Sequence, residues 1–301
     1  MKTLYCFITI LLAFLAIDSH ACNTCGCGVA NYHYGILPQY QKNFIGLRYR
    51  YRSFDSRLDV THMASYSYET FQSTELWGRF YPMDRLQIFA FVPYNFNERR
   101  EGEITTQLRG LGDVVVAANY NVLNTYDSTS SGWKHNLLVG GGIKLPTGDF
   151  DAMQSGLTIN QNFQLGTGSV DFLFNVIYTL RFRNAGINTE FTYNHNTRNR
   201  DEYRFGNTTR SGLTAFFIPK TGGVTLMPNA GVSIETFKDN SQFEQPFPDS
   251  GGWAMLYNAG LEAYVKRFAF GLSYSHPGKQ QLFSGQVTAN DRVLAHLTFM
   301  F

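Results

Sequence analysis

The chain predicts an all-β fold, an antiparallel up-and-down transmembrane β-barrel of about 12 strands. Three observations point there. Segment after segment alternates apolar and polar residues with the two-residue period of a strand. The polar face carries Arg, Glu, Asp or Asn in nearly every segment, which suits a water-filled lumen better than a dry core. The composition agrees: aromatic residues are 16% of the chain and charged residues also only 16%, where an average domain has about 25% charged. With 28 glycines, that balance favours strands and turns over helices. A net charge of +2 argues against nucleic-acid binding, which needs a basic patch.

The N-terminus reads as a secretory signal over residues 1–21. Lys2 supplies its positive end, residues 7–17 an apolar run too short to span a bilayer, and Ser19-His20-Ala21 a cleavage site. Cleavage there makes Cys22 the first mature residue. A lipid on Cys22 is an alternative, although Ser19 stands where a lipobox usually has Leu. Residues 22–42 are expected to be a periplasmic segment and residues 43–301 the barrel.

The first strand is expected over residues 44–54, with Ile45, Leu47, Tyr49 and Tyr51 facing one way and Arg48, Arg50 and Arg52 the other. A polar loop (55–68) and a second strand (70–81) follow, the latter setting Leu76, Gly78 and Phe80 against Glu75, Trp77 and Arg79. Residues 82–85 turn the chain into strand three (86–95), whose Leu86, Ile88, Ala90, Val92 and Tyr94 point outward. A charged loop (96–110) precedes strand four (112–122), where Val114, Val116, Ala118, Tyr120 and Val122 oppose Asp113, Asn119 and Asn121. Strands five to eleven are expected over 133–145, 168–181, 186–196, 207–218, 224–237, 252–265 and 268–275. In them Asp171, Asn175, Glu190, Asn258 and Glu262 take the inward face, and residues 276–290 form the last loop. Short turns alternate with longer loops, as in membrane barrels.

The chain ends on RVLAHLTFMF. Val293, Ala295, Leu297, Phe299 and Phe301 share one face; Arg292, Leu294, His296, Thr298 and Met300 share the other. This resembles the closing strand of a bacterial outer-membrane barrel, whose final aromatic residue serves as an assembly signal. The resemblance implies the outer membrane of a Gram-negative cell, its lipid, and the barrel-assembly machinery as a partner. Tyr49, Tyr51, Tyr81, Tyr94, Trp253, Tyr257 and Phe301 are candidates for the aromatic girdles.

Three further pieces carry a family resemblance: GGGIKLPTGDF (Gly140 to Phe150), QLGTGSVD (Gln164 to Asp171) and GLGD (Gly110 to Asp113). They resemble a family of outer-membrane β-barrels of transporter type, some grouped under phenol meta-pathway degradation. The resemblance implies location, fold and passage of a small solute, without a substrate. Read on its own chemistry, K-L-P-T-G-D is a turn at a strand end: Pro146 lacks an N–H for pairing, and Asp149 can accept from local N–H groups.

The mature N-terminus, CNTCGCG, resembles a feature of Bacteroidota-type members. Cys22, Cys25 and Cys27 can meet one soft metal, Cu(I) or zinc, with His33 as a fourth ligand. Disulfide or redox pairing competes, because secreted thiols oxidise. No nucleophile elbow, zincin motif or phosphate loop stands in the chain, so no enzyme is expected.

The strongest functional surface is electrostatic. Arg48, Arg50, Arg52, Arg79 and Arg292 are expected in the lumen with Glu75, Asp113, Asp171, Glu190, Glu235 and Glu262. Arg292 and His296 must pair beside the Arg48–Arg52 ladder, which predicts acidic neighbours, Glu75 and Glu262 first. Opposed charges either plug the lumen or line a narrow polar channel. The two functional readings are a channel for a small solute, and a non-conducting barrel that binds a metal or partner through its Cys segment.

Overall fold

A computed structural model describes residues 42–301 apart from 61–62, 127–131, 155–156 and 220–221. The signal segment, Cys22, Cys25, Cys27 and His33 lie outside the described residues. No helix among the described residues is long and apolar enough to cross a membrane. The described residues form twelve barrel strands. They are β1 (Phe44–Val60), β2 (Met63–Met83), β3 (Leu86–Glu101) and β4, which is interrupted (Ile104–Leu111 and Val114–Asn124). There follow β5 (Trp133–Leu145), β6 (Asp171–Phe182), β7 (Ala185–His195) and β8 (Thr208–Phe217). The last four are β9 (Val224–Phe237), β10 (Gly252–Val265), β11 (Phe268–Leu282) and β12 (Val287–Ala289 and Arg292–Met300).

Each strand pairs antiparallel with its neighbours in sequence, and β12 pairs back onto β1 from Phe44↔Met300 to Tyr51↔Val293. The barrel is therefore closed, and no barrel edge is left open to aggregation. Both termini of the barrel and the short turns lie at one end, the periplasmic end by the convention of these barrels. The long connections, 146–170, 196–207 and 238–251, lie at the other.

The alternation places side chains as expected. Ile45, Leu47, Leu76, Phe80, Phe172, Leu272 and Phe299 are outward and exposed, Leu47 by 54% and Leu272 by 57%. So continuous an apolar surface fits lipid and not water. Of the girdle candidates, Tyr49, Tyr94, Trp253, Tyr257 and Phe301 are exposed, whereas Tyr51 and Tyr81 are partly covered.

Three expected loops are strand instead. Residues 55–60 and 63–68 continue β1 and β2 to the pair Val60↔Met63. Residues 96–101 and 104–110 form a paired extension of β3 and β4, and β11 runs on to Leu282. At 21 residues, β2 far exceeds the ~10 residues that cross a bilayer. These extensions carry the sheet beyond the membrane on the long-loop side. Their inward face is polar like their outward one, with Ser56, Ser67, Glu69 and Asn97 buried, so the hydrophobic alternation fades while the hydrogen-bond ladder persists.

The interior corrects a second expectation. It is not uniformly polar. Near the periplasmic end, Phe44, Trp77, Phe89, Phe91, Leu138, Ile177, Phe216, Met227, Tyr264 and Met300 form one buried apolar cluster across the bore. Phe44 meets Trp77 edge-on at 4.6 Å, and Trp77 stacks on Phe91 at 6.2 Å. At the opposite end Phe54, Phe71, Phe163, Leu282 and Val287 form a second cluster. Phe163 belongs to the connection between β5 and β6 and packs on Phe71 at 5.9 Å. A loop thus folds into the barrel mouth.

Candidate functional site

Between the two apolar layers lies a charged belt. Arg48 on β1 sits directly across from Glu75 on β2, and across from His296 on β12. Its Nε donates to Glu75 Oε2 at 2.7 Å, and the other Glu75 oxygen pairs with Arg50. The Arg48 guanidinium also lies 4.9 Å from the ring centres of Trp77 and Phe91, a cation–π position. His296 Nε2 stands 3.0 Å from Glu262 Oε2. That pair fits because Gly271 faces it: a Cβ there would lie 2.1 Å from His296 Nε2. Further round, Arg292 Nη1 pairs with Glu235 Oε2 at 2.8 Å and Arg210 Nη2 with Glu190 Oε1 at 3.3 Å. Arg79 lies nearer the periplasmic end, donating to the Lys42 carbonyl at 2.9 Å with its guanidinium 5.1 Å from the Phe44 ring centre.

The belt encloses a cavity of about 100 Å³. Arg50, Arg52, Arg210, Arg292 and Glu190 reach it, and the rest of its wall is mostly small or polar: Gly212, Thr214, Asn229, Ser233, Asn258, Ser273 and Ser275, with Leu294. The small residues are what leave the space.

Asp113 and Asp171 also face inward, but they line no open space. Lys144 reaches both, Asp113 at 3.4 Å and Asp171 more closely. Asp113 accepts from the Gly148 N–H (3.1 Å) and from the Thr167 N–H and hydroxyl (both 2.9 Å). Asp171 accepts from the Ser169 hydroxyl at 2.9 Å and the Thr197 N–H at 2.8 Å. The three motif pieces singled out in the sequence therefore meet in one buried cluster. They break β4 at Gly112-Asp113, where Thr147 Oγ1 patches the gap by accepting from Val114 N and donating to the Gly112 carbonyl. Gly166 is required: a Cβ there would lie 2.5 Å from both Asp113 Oδ1 and the Gly148 carbonyl oxygen. The carboxylate that gathers loop N–H groups is Asp113 and not Asp149, whose side chain is exposed. The cluster anchors the loop that delivers Phe163. Asn95 and Asn97 complete the anchor, donating to the Leu165 and Phe163 carbonyls at 3.1 Å.

All the candidate lumen residues, Arg48, Arg50, Arg52, Glu75, Arg79, Asp113, Asp171, Glu190, Glu262 and Arg292, thus point into the barrel. Sequence reasoning missed Arg210, Lys144, Glu69 and Arg99. Lys144 lies between the outward Ile143 and Leu145, so alternation could have found it. Glu69 and Arg99, paired at 3.5 Å, lay in segments expected to be loop or loop-proximal. Among the described residues no group of three or more His, Cys, Asp or Glu could hold a metal.

A closed twelve-strand barrel with an apolar belt outside and a charged belt inside is an outer-membrane β-barrel of a Gram-negative bacterium. The crystal structure of an outer-membrane channel from Pseudomonas putida F1 has the same fold, with a TM-score of 0.63 over 87% of this chain and 96% of that one at 11% identity. The β domain of the Bordetella autotransporter BrkA overlaps less well, at 0.46 and 15% identity over 85% of this chain and 99% of that one. The CymD monoaromatic hydrocarbon channel reaches 0.40 at 8% identity over 87% and 90%. No curated protein matches the chain in sequence. The family model described as "Putative MetA-pathway of phenol degradation" matches residues 60–217, more than half of the chain, and the chain belongs to that family.

Proposed function

We propose that the chain is a narrow, gated outer-membrane channel for a small solute. The observation that carries this reading is the cavity of about 100 Å³ in the bore. An interior built only for stability closes to crystal-like packing density. Here serines, glycine and asparagines hold space open beside four guanidinium groups. The apolar layers on either side serve as constrictions, which gate by excluding water. The outer layer is completed by Phe163, carried on a loop, so opening that end needs a loop movement and not a barrel expansion. The fold shared with the Pseudomonas putida F1 channel is consistent with this. Transport, and not catalysis, is the role proposed.

The apolar layers also favour a second reading, a non-conducting barrel whose Cys22, Cys25 and Cys27 bind Cu(I), zinc or a partner. Liposome swelling separates the two. Vesicles carrying the folded barrel should swell in small solutes such as glycine and stay closed to a tetrasaccharide. Swelling no faster than protein-free vesicles in every solute would support the second reading.

A further inference from the structure

The charged belt is unbalanced. Counted with His296 neutral, the belt holds five guanidiniums, Arg48, Arg50, Arg52, Arg210 and Arg292, and four carboxylates, Glu75, Glu190, Glu235 and Glu262, of which Arg50, Arg52, Arg210, Arg292 and Glu190 line the cavity. The carboxylates and the guanidiniums are also placed differently. Glu75 and Glu235 are fully covered, at 0% and 2% exposure, whereas Arg50, Arg52, Arg210 and Arg292 reach the cavity wall. Glu75 and Glu235 sit behind, so Glu190 is the one carboxylate among the lining residues, beside four guanidiniums.

We infer that this cavity binds a singly charged organic carboxylate, and that the solute selected is a small monocarboxylate. The inference rests on the channel reading for its role in transport, but not for the binding itself. A guanidinium presents paired N–H groups that match the two oxygens of a carboxylate. A net charge of one positive over the whole belt, with four guanidiniums and one carboxylate at the cavity wall, matches a monoanion better than a dianion. Ser233, Ser273, Ser275 and Asn258 supply neutral hydrogen-bonding groups, and inward Leu294 gives the wall an apolar contact that an inorganic anion would not use.

The test has two readouts on the full barrel. In detergent, thermal unfolding is followed with sodium butyrate, with butan-1-ol as its neutral counterpart, and with sodium chloride. Butyrate should raise the midpoint with concentration, as a ligand of the native state does, and the other two should not. In planar bilayers, a potassium butyrate gradient should give a reversal potential showing butyrate more permeant than potassium. Asn258→Asp, which adds a negative charge to the wall, should abolish the thermal shift and reverse the selectivity. Ser273→Asp on the neighbouring strand does the same should the first variant fold poorly, with folding checked by heat-modifiable gel mobility. A butyrate shift no larger than that of butan-1-ol or chloride overturns the site. Conductance with no butyrate preference overturns its role in selectivity and leaves the channel reading standing. A butyrate shift in a barrel that never conducts keeps the site and removes the channel.

Discussion

Arg48 and Glu75 face each other across the β1–β2 ladder and are joined by a 2.7 Å hydrogen bond, with Arg50 on the second carboxylate oxygen. One buried carboxylate thus holds two guanidiniums, and Trp77 reports on them from 4.9 Å. Removing one member of a buried ion pair typically costs about 3–5 kcal/mol, because the remaining charge stays desolvated. Glu75→Gln should therefore lower the unfolding free energy by about that amount, measured by Trp fluorescence in urea with the barrel in lipid vesicles. Equal stability would show that Arg48 and Arg50 are solvated and not buried.

Lys144 is the cation that lets Asp113 and Asp171 approach each other. Lys144→Met should leave two carboxylates in mutual repulsion and release the 146–170 loop. The measurement is limited proteolysis of the folded barrel, with new cleavage expected inside that loop. Thr167→Val removes only hydroxyl contacts, among them those to Asp113 and Lys144, and should cost about 1.5–3 kcal/mol, with less change in cleavage than Lys144→Met.

Phe91 and Phe163 stand in the two apolar layers. Phe91→Ala should destabilise by about 3–5 kcal/mol and widen the periplasmic constriction. Phe163→Ala, on a loop, should act on the outer constriction with a smaller loss of stability. Each should raise single-channel conductance. Conductance unchanged in both variants would place the constriction elsewhere.

Gly271 gives room to the His296–Glu262 pair. Gly271→Ala should displace it and destabilise by about 1–3 kcal/mol, visible as a lower melting temperature of the folded band on gels. By contrast, Leu47→Arg on the lipid face should cost about 2–4 kcal/mol if Leu47 lies near the bilayer midplane, without altering the interior.

The membrane-crossing half of the fold was legible because lipid and lumen impose opposite chemistry on alternate residues. Leu47 against Arg48, Leu76 against Glu75 and Phe172 against Asp171 each carry that contrast. The pairing of the last strand with the first followed from barrel closure, and with it came the acidic neighbours Glu75 and Glu262. The extensions of β1 to β4 look like loops in the sequence because residues such as Asp55, Arg57, Ser67 and Glu69 present polar groups on both faces. The apolar layers were hidden for the opposite reason: in Ile88-Phe89-Ala90-Phe91-Val92 both faces are apolar, so alternation has no contrast to report. The seat of Phe163 depends on a long-range anchor, Lys144 with Asp113 and Asp171. No local pattern encodes that anchor, although its three pieces were the ones that stood out.

The most direct test is single-channel recording of the wild-type barrel in planar bilayers, with folding verified in the same preparation. A narrow bore with a charged belt should give small, discrete current steps that favour anions, and Arg50→Glu should shift the reversal potential towards cations. A folded barrel that inserts and passes no current above the bare bilayer would contradict the channel.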